Sequence, residues 1–131
     1  MESFSKLIYS DLTYKINGLL FHVQNELGRF CNEKQYCDSI ENNLKKSSIN
    51  FEREKYLPPS FEGEKQIRNK VDFLIENKVI LEIKAKRLIT KEDYYQIKRY
   101  LQALKIKLGI LVNFRSKFLH PKRFLNSSVS E

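Results

Sequence analysis

Apolar residues recur every three or four positions along the start of the chain: Ile8, Leu12, Ile16, Leu20, Val23 and Leu27. That interval keeps them on one face of a helix, which is predicted to end near Gly28, a residue that can leave the helical conformation without a steric penalty. Asn32 carries the side-chain oxygen needed to cap a second helix, on which Glu33, Tyr36, Cys37, Ile40 and Leu44 share a side. Glu33 thereby places a carboxylate on an otherwise apolar side. From Ile49 to Leu57 the period changes to a loose alternation, as in a strand, and PPSFEGE (58–64) supplies turn chemistry. KQIRNKVDFLIE (65–76) returns as a second strand, and VILEIKA (79–85) follows almost at once as a third. Thr90 then starts a helix whose buried stripe is Tyr94, Ile97, Leu101 and Leu104, with Gln96, Tyr100 and Ala103 forming a neighbouring one. LGILVNF (108–114) is continuously apolar, which suits a central or parallel strand covered on both faces. The order of two helices, three strands, a helix and a strand predicts an α/β fold with a mixed central sheet of about four strands flanked by helices.

Three polar groups interrupt the most apolar part of this pattern. With Glu76–Lys78 as the turn of a hairpin, Ile75 faces Val79, Leu74 faces Ile80, and Asp72 faces Glu82. Strand alternation puts Lys84 on the same face as Glu82, so two carboxylates and an ammonium are expected to converge. Each carboxylate would cost on the order of several kcal/mol to bury ionised without a partner. Two arrangements offset that cost. Lys84 can pair with Asp72 or Glu82 as an ordinary ion pair at a sheet edge, or a divalent cation can sit between the carboxylates. Mg²⁺ suits the second, because it takes one or two carboxylates and keeps its remaining positions for water and phosphate oxygens. Spacing alone carries little weight, since Glu76-Asn77-Lys78 repeats the E-x-K pattern in a turn where solvation accounts for it.

Composition narrows the class of partner. The chain of 131 residues is expected to form one domain over 1–125, with NSSVSE (126–131) as a frayed tail. An apolar share of 41% supplies a core despite 31% charged residues, and no apolar run approaches the roughly 20 residues needed to cross a bilayer. The start, MESFSKLIYS, has no basic segment followed by an apolar one, so a cytoplasmic location and no membrane partner are expected. Cys31 and Cys37 are expected in one helix as reduced structural thiols, because no second Cys or His pair completes a zinc site. His22 reads as an ordinary helix residue. The net charge of +8 is unevenly placed: residues 1–83 carry 12 basic and 13 acidic side chains, whereas 84–123 carry 12 basic and only Glu92 and Asp93. That second segment points to a polyanion, nucleic acid before an acidic membrane.

Asp72 followed, after nine intervening residues, by Glu82-Ile83-Lys84 resembles the PD-(D/E)xK nuclease superfamily. LGRFCNEKQY (27–36) is similar to the signature segment of its GxxExxY branch, with Glu33 and Tyr36 matching the Glu and Tyr. The signature Gly falls at Phe30, and a His often found three residues before the Leu falls at Gln24. QIKRYLQAL (96–104) is similar to a Gln-x-x-x-Tyr-Leu element of the branch, giving Gln96, Tyr100 and Leu101, and LGILVNF to its closing strand. The resemblance runs from about Val23 to Phe114. It implies a restriction-endonuclease-like core and metal-dependent hydrolysis of phosphodiester bonds; with the convergent triad beside the basic segment, DNA is expected before RNA as the substrate. Asp72 and Glu82 would ligate Mg²⁺ or Mn²⁺, with the Ile83 carbonyl, and Glu33 would be an auxiliary ligand or orient a metal-bound water. Lys84 would position the attacking water or stabilise the transition state, while Gln96 and Tyr100 support the site or touch the nucleic acid. Lys86, Arg87, Lys91, Lys98 and Arg99 lie close to these residues in sequence and are candidates for phosphate contacts. The alternative is a nucleic-acid-binding or partner-binding module that keeps the fold without the chemistry. A homodimer, or a place as subunit of a larger defence or repair complex, is compatible with either.

Overall fold

A computed structural model describes residues 8–65 and 69–130 of the chain. Helix α1 spans Ser10–Leu27 and α2 Glu33–Lys46; strands β1 (Phe51–Tyr56), β2 (Lys70–Ile75) and β3 (Val79–Lys84) follow; then come α3 (Lys91–Leu104), β4 (Leu108–Asn113) and β5 (Lys122–Leu125). The five strands form one sheet in chain order. Only β3 and β4 run parallel, joined by α3 as crossover, and the other neighbours are antiparallel.

Local chemistry accounts for most boundaries. Gly28 ends α1 at φ 78, and Asn32 caps α2 reciprocally with Gln35, whose N–H donates to Asn32 Oδ1 at 2.8 Å while the Asn32 N–H donates to Gln35 Oε1 at 2.9 Å. Thr90 and Asp93 make the same box at the start of α3. Glu76 and Asn77 take positive φ in the turn between β2 and β3, and Glu76 is tied to Asn50 through backbone and side chain at 2.9 Å each. The second E-x-K is thus a turn.

The sheet separates two apolar clusters. On one face α1 and α2 bring Ile16, Leu20, Val23, Tyr36 and Ile40 against Phe73, Ile75, Leu81, Ile83, Ile110 and Val112. On the other, Ile97, Tyr100 and Leu101 of α3 cover Leu74, Ile80 and Leu111. Every residue of β4 is buried, as its unbroken apolar run requires of a strand covered on both faces.

Three expectations need adjustment. The sheet has five strands rather than about four, because the short, charged Lys122–Leu125 pairs with β4 through backbone bonds that no hydrophobic pattern announces. Cys31 lies in the loop before α2 rather than in one helix with Cys37, since the capping box starts the helix only at Glu33. Residues 66–68 of the expected second strand, and 1–7 and 131, lie outside the described residues. Asn126, expected at the start of the tail, is buried, and its Nδ2 donates to the Leu101 and Ile106 carbonyls at 3.2 and 3.3 Å.

Gly109 sets how closely α3 sits on β4. A Cβ at this position would stand 3.0 Å from Ile97 Cδ1 and 3.3 Å from Leu101 Cδ1. Gly109→Val should therefore destabilise the fold by about 1–3 kcal/mol, through the cost of overpacking a filled interface. Urea unfolding reads this directly, and an unchanged midpoint would contradict the described seating of α3.

Candidate active site

The regular sheet opens at Asp72. The β2–β3 ladder pairs Ile75 with Val79, Leu74 with Ile80 and Phe73 with Leu81, then stops. On the other side the β1–β2 ladder passes from Arg53–Phe73 to Lys55–Val71, and Glu54, opposite Asp72, has a left-handed φ of 55. Val71 joins the cluster under α3 while Phe73 joins the one under α1 and α2, so the strand turns about its axis at the residue between them.

Side chains replace the ladder there. The Asp72 N–H donates to Glu82 Oε2 at 2.8 Å, and the Ile83 N–H donates to Asp72 Oδ2 at 2.7 Å. Each acid thus accepts a backbone proton from the opposite strand. Glu82 is 4% exposed. Burial, and then the Asp72 carboxylate beside it, push the Glu82 carboxyl up to about 8, against the opposing pull of the Asp72 N–H and the Lys84 ammonium. Burial also raises Asp72, with the Ile83 N–H pulling the other way and Glu33 adding to the rise. The two acids titrate as a pair, raised together by burial, and Glu82 is the more deeply buried of the two.

Lys84 does not neutralise this pair by contact. Its Nζ donates to Gln96 Oε1 at 3.2 Å and lies 3.7 Å from Asp93 Oδ1, both on α3. The ordinary ion pair with Asp72 or Glu82 is therefore absent among the described residues, although the Lys84 charge still acts on both acids. Asp93 carries no site role in the sequence reading, yet it is buried and receives Lys86 Nζ at 2.6 Å. Burial pushes its carboxyl up, but the Lys86 ammonium and the Thr90 N–H and hydroxyl together hold it below the usual carboxylate range. The Thr90-x-x-Asp93 capping spacing was the signal that could have located it. Asn113 was likewise missed. Level with Lys84 in the parallel ladder, it brackets Lys86 through both amide atoms, accepting from the backbone N–H at 3.0 Å and donating to the carbonyl at 2.7 Å. An Asn in the apolar run LGILVNF was its trace in the sequence.

The remaining residues fall around this centre. Glu33 is exposed at the first position of α2 and shares a cleft with Asp72 and Cys37. Burial, with Asp72 next, drives the Cys37 thiol far up, so it stays protonated. Tyr100 is buried beneath the site, and burial followed by the Glu82 charge raises its hydroxyl. Arg87, Lys91, Lys98 and Arg99 are exposed, whereas Lys86 is tied to Asp93. Arg99 Nη2 donates to Asn69 Oδ1 at 3.3 Å.

The donor set has a definite character. Asp72 and Glu82 offer two hard oxygen ligands with the Ile83 carbonyl between Glu82 and Lys84, which fits Mg²⁺ or Mn²⁺ with water completing the shell. Among the described residues no group of three or more His, Cys, Asp or Glu gathers closely enough to hold a metal, so a zinc-type cage does not fit.

A carboxyl whose folded-state pKa is raised contributes stability that is intact below its unfolded value, 4.5 for Glu82, and is lost as the pH climbs through about 8. In chelator, unfolding stability should therefore fall by on the order of a few kcal/mol across that window. Glu82→Gln should flatten the decline. Urea midpoints at a series of pH values check this, and an equal slope in the variant would show that burial of Glu82 is not the source of the decline.

The chain matches the family model of the PD-(D/E)XK nuclease superfamily over residues 10–124, from the start of α1 into β5. Neither the curated proteins nor the solved structures yield a match. The match spans most of the chain and all of the sheet but its last residue, and the α/β architecture agrees with a restriction-endonuclease-like fold: the protein belongs to the PD-(D/E)XK nuclease superfamily.

Proposed function

We propose that the chain is a metal-dependent nuclease that hydrolyses phosphodiester bonds of DNA, with Asp72, Glu82, Ile83 and Lys84 at its centre. The observation that carries this reading is the pair of backbone bonds that Asp72 and Glu82 accept across the opened hairpin, where a buried Glu82 meets a half-buried Asp72 without a contacting cation among the described residues. Asp72, Glu82 and the Ile83 carbonyl would hold Mg²⁺ or Mn²⁺, with Glu33 orienting a coordinated water from the cleft mouth. The bound ion would supply positive charge against the charge that develops on the phosphate.

The chain's own groups divide the rest of the work. Lys84 holds the attacking water and donates hydrogen bonds to the phosphate oxygens, while Gln96 and Asp93 aim its ammonium. Tyr100 closes the apolar floor under Glu82 and keeps bulk water from that carboxyl. Arg87, Lys91, Lys98 and Arg99 line the approach as phosphate contacts. Lys86 reaches phosphate only by exchanging its partner Asp93.

The GxxExxY resemblance supports placement in that branch. Tyr36 has a structural task consistent with a signature residue: its ring stacks on Phe114 at 4.2 Å, and its hydroxyl donates to the Gly28 carbonyl, joining the two helices and the last core strand. Free Cys31 and Cys37 fit a reducing, cytoplasmic setting. A chain of this size has little surface for selecting a substrate, which favours action as a homodimer or within a larger defence or repair complex.

Incubation with linear, branched and single-stranded DNA, and with RNA, in Mg²⁺ or Mn²⁺ tests the reading. Cleavage should stop in EDTA, fall below detection in Asp72→Asn and Glu82→Gln, and drop about 100- to 1000-fold in Lys84→Ala. Calorimetric Mn²⁺ binding should disappear with Asp72→Asn. Failure of the natural chain to cleave any substrate or to bind Mn²⁺ would refute the assignment. Salt-sensitive binding indifferent to Asp72→Asn would then mark a binding module instead.

A further inference from the structure

The most exposed aromatic near the candidate active site has no part in its chemistry. Phe30, in the loop between α1 and α2, is 76% exposed. The loop around it is fixed, since Tyr36 Oη bonds the Gly28 carbonyl on one side and accepts the Cys31 N–H at 3.3 Å on the other. Arg29 and Arg115 place their guanidinium carbons 5.2 and 5.6 Å from the Phe30 ring centroid.

The two arginines lock one another. Arg29 Nε donates to the Arg115 carbonyl at 3.0 Å, and Arg115 Nε returns a bond to the Arg29 carbonyl at 3.1 Å. Arg115 Nη2 also donates to the Ala85 carbonyl at 3.3 Å, directly after Lys84. Glu33 follows Phe30 by three residues at the start of α2. The loop that carries the ring is thus tied through Arg115 to the residue after Lys84 and leads directly into the helix that starts at Glu33. Neither arginine joins an ion pair among the described residues, and each is held by the other's backbone carbonyl.

Core packing does not explain a ring left mostly in water. A projecting aromatic with two fixed guanidiniums has the parts that recognise an unpaired base: a flat apolar face to stack on, and cations for the flanking phosphates. Paired bases inside a duplex offer no free face to such a ring.

We propose that Phe30, flanked by Arg29 and Arg115, is a stacking platform for one unpaired nucleobase beside the candidate active site. The preferred substrate is then single-stranded, or carries an opened strand at the point of cleavage. This inference takes its substrate class from the nuclease reading above.

Binding is measured in EDTA, where no bond is cut, by fluorescence anisotropy of single-stranded and duplex oligonucleotides of equal length. The natural chain should prefer the single strand. Phe30→Ala should weaken single-strand binding about tenfold, or about 1.4 kcal/mol, and leave duplex binding within about twofold. Phe30→Trp should retain the preference, and 2-aminopurine in the single strand should lose fluorescence with the natural chain but not with Phe30→Ala. Equal loss on both substrates, or no loss on either, overturns the platform. The nuclease reading fails separately: a chain that binds with these preferences but cleaves nothing in Mg²⁺ or Mn²⁺ keeps the platform and loses the enzyme. No binding to any oligonucleotide overturns the platform along with the nucleic-acid reading.

Discussion

Two carboxylates share the mouth of a buried hairpin, and the rest of the structure is arranged around their repulsion. Asp72 and Glu82 each accept a backbone N–H from the facing strand, so the bonds that would have continued the ladder hold the acids in place. Those two bonds do not cancel the repulsion. Burial still raises both groups, the Asp72 charge helping to push Glu82 up to about 8 and the Glu33 charge adding to the rise of Asp72. A backbone that has given up regular pairing on both sides of Asp72 has no other use for these donors, which is why the irregularity and the acids coincide.

The ammonium expected to resolve that tension is directed elsewhere. Lys84 points to Gln96 and Asp93 on α3, so its charge acts on the acids from a distance while its protons remain directed by a second helix. An ammonium in direct contact with Asp72 or Glu82 would form a closed ion pair and leave little reason for a divalent ion to enter. Displaced by one layer, it leaves the carboxylates poorly compensated while its charge still acts on both. Asp93 makes this possible: lowered by Lys86 and the Thr90 cap, it is a stable anion that anchors two lysines at once.

Local periodicity accounts for what was legible in the sequence. The helix stripes, the caps at Asn32 and Thr90, the turn at Glu76–Lys78 and the pairings of Ile75 with Val79 and Leu74 with Ile80 depend on neighbours within a few residues, and the structure has them. The meeting of Asp72 with Glu82 was expected from the same register, but the ladder stops one pair short of them and side-chain-to-backbone bonds bring them together instead. The direction of Lys84 did not, because it depends on which side chains of α3 lie over the sheet after a crossover. The fifth strand escaped notice because pairing through backbone groups leaves little trace in a four-residue stretch with two charges. Lys86 reads as a free cation in sequence for a similar reason, its partner being set by the depth of a helix cap. Phe30 is the converse case: an aromatic in a polar loop suggests packing, and only the reciprocal bonds of Arg29 and Arg115 show that it is held outward.

Stability and function are opposed at this site. A domain of this kind is stable by about 5–15 kcal/mol, so a buried acid pair costing a few kcal/mol consumes a large fraction of the margin. The surplus must come from elsewhere in the sheet, and it is found in the strands next to the acids. All of β4 is buried, β3 is buried up to Lys84, and Gly109 lets α3 approach as closely as Ile97 permits. That packing is what permits the hairpin mouth to remain electrostatically unsatisfied. It also sets the direction of the coupling: any ligand that binds between Asp72 and Glu82 only in the folded state returns the lost stability by mass action, so occupancy of the site and firmness of the fold rise together.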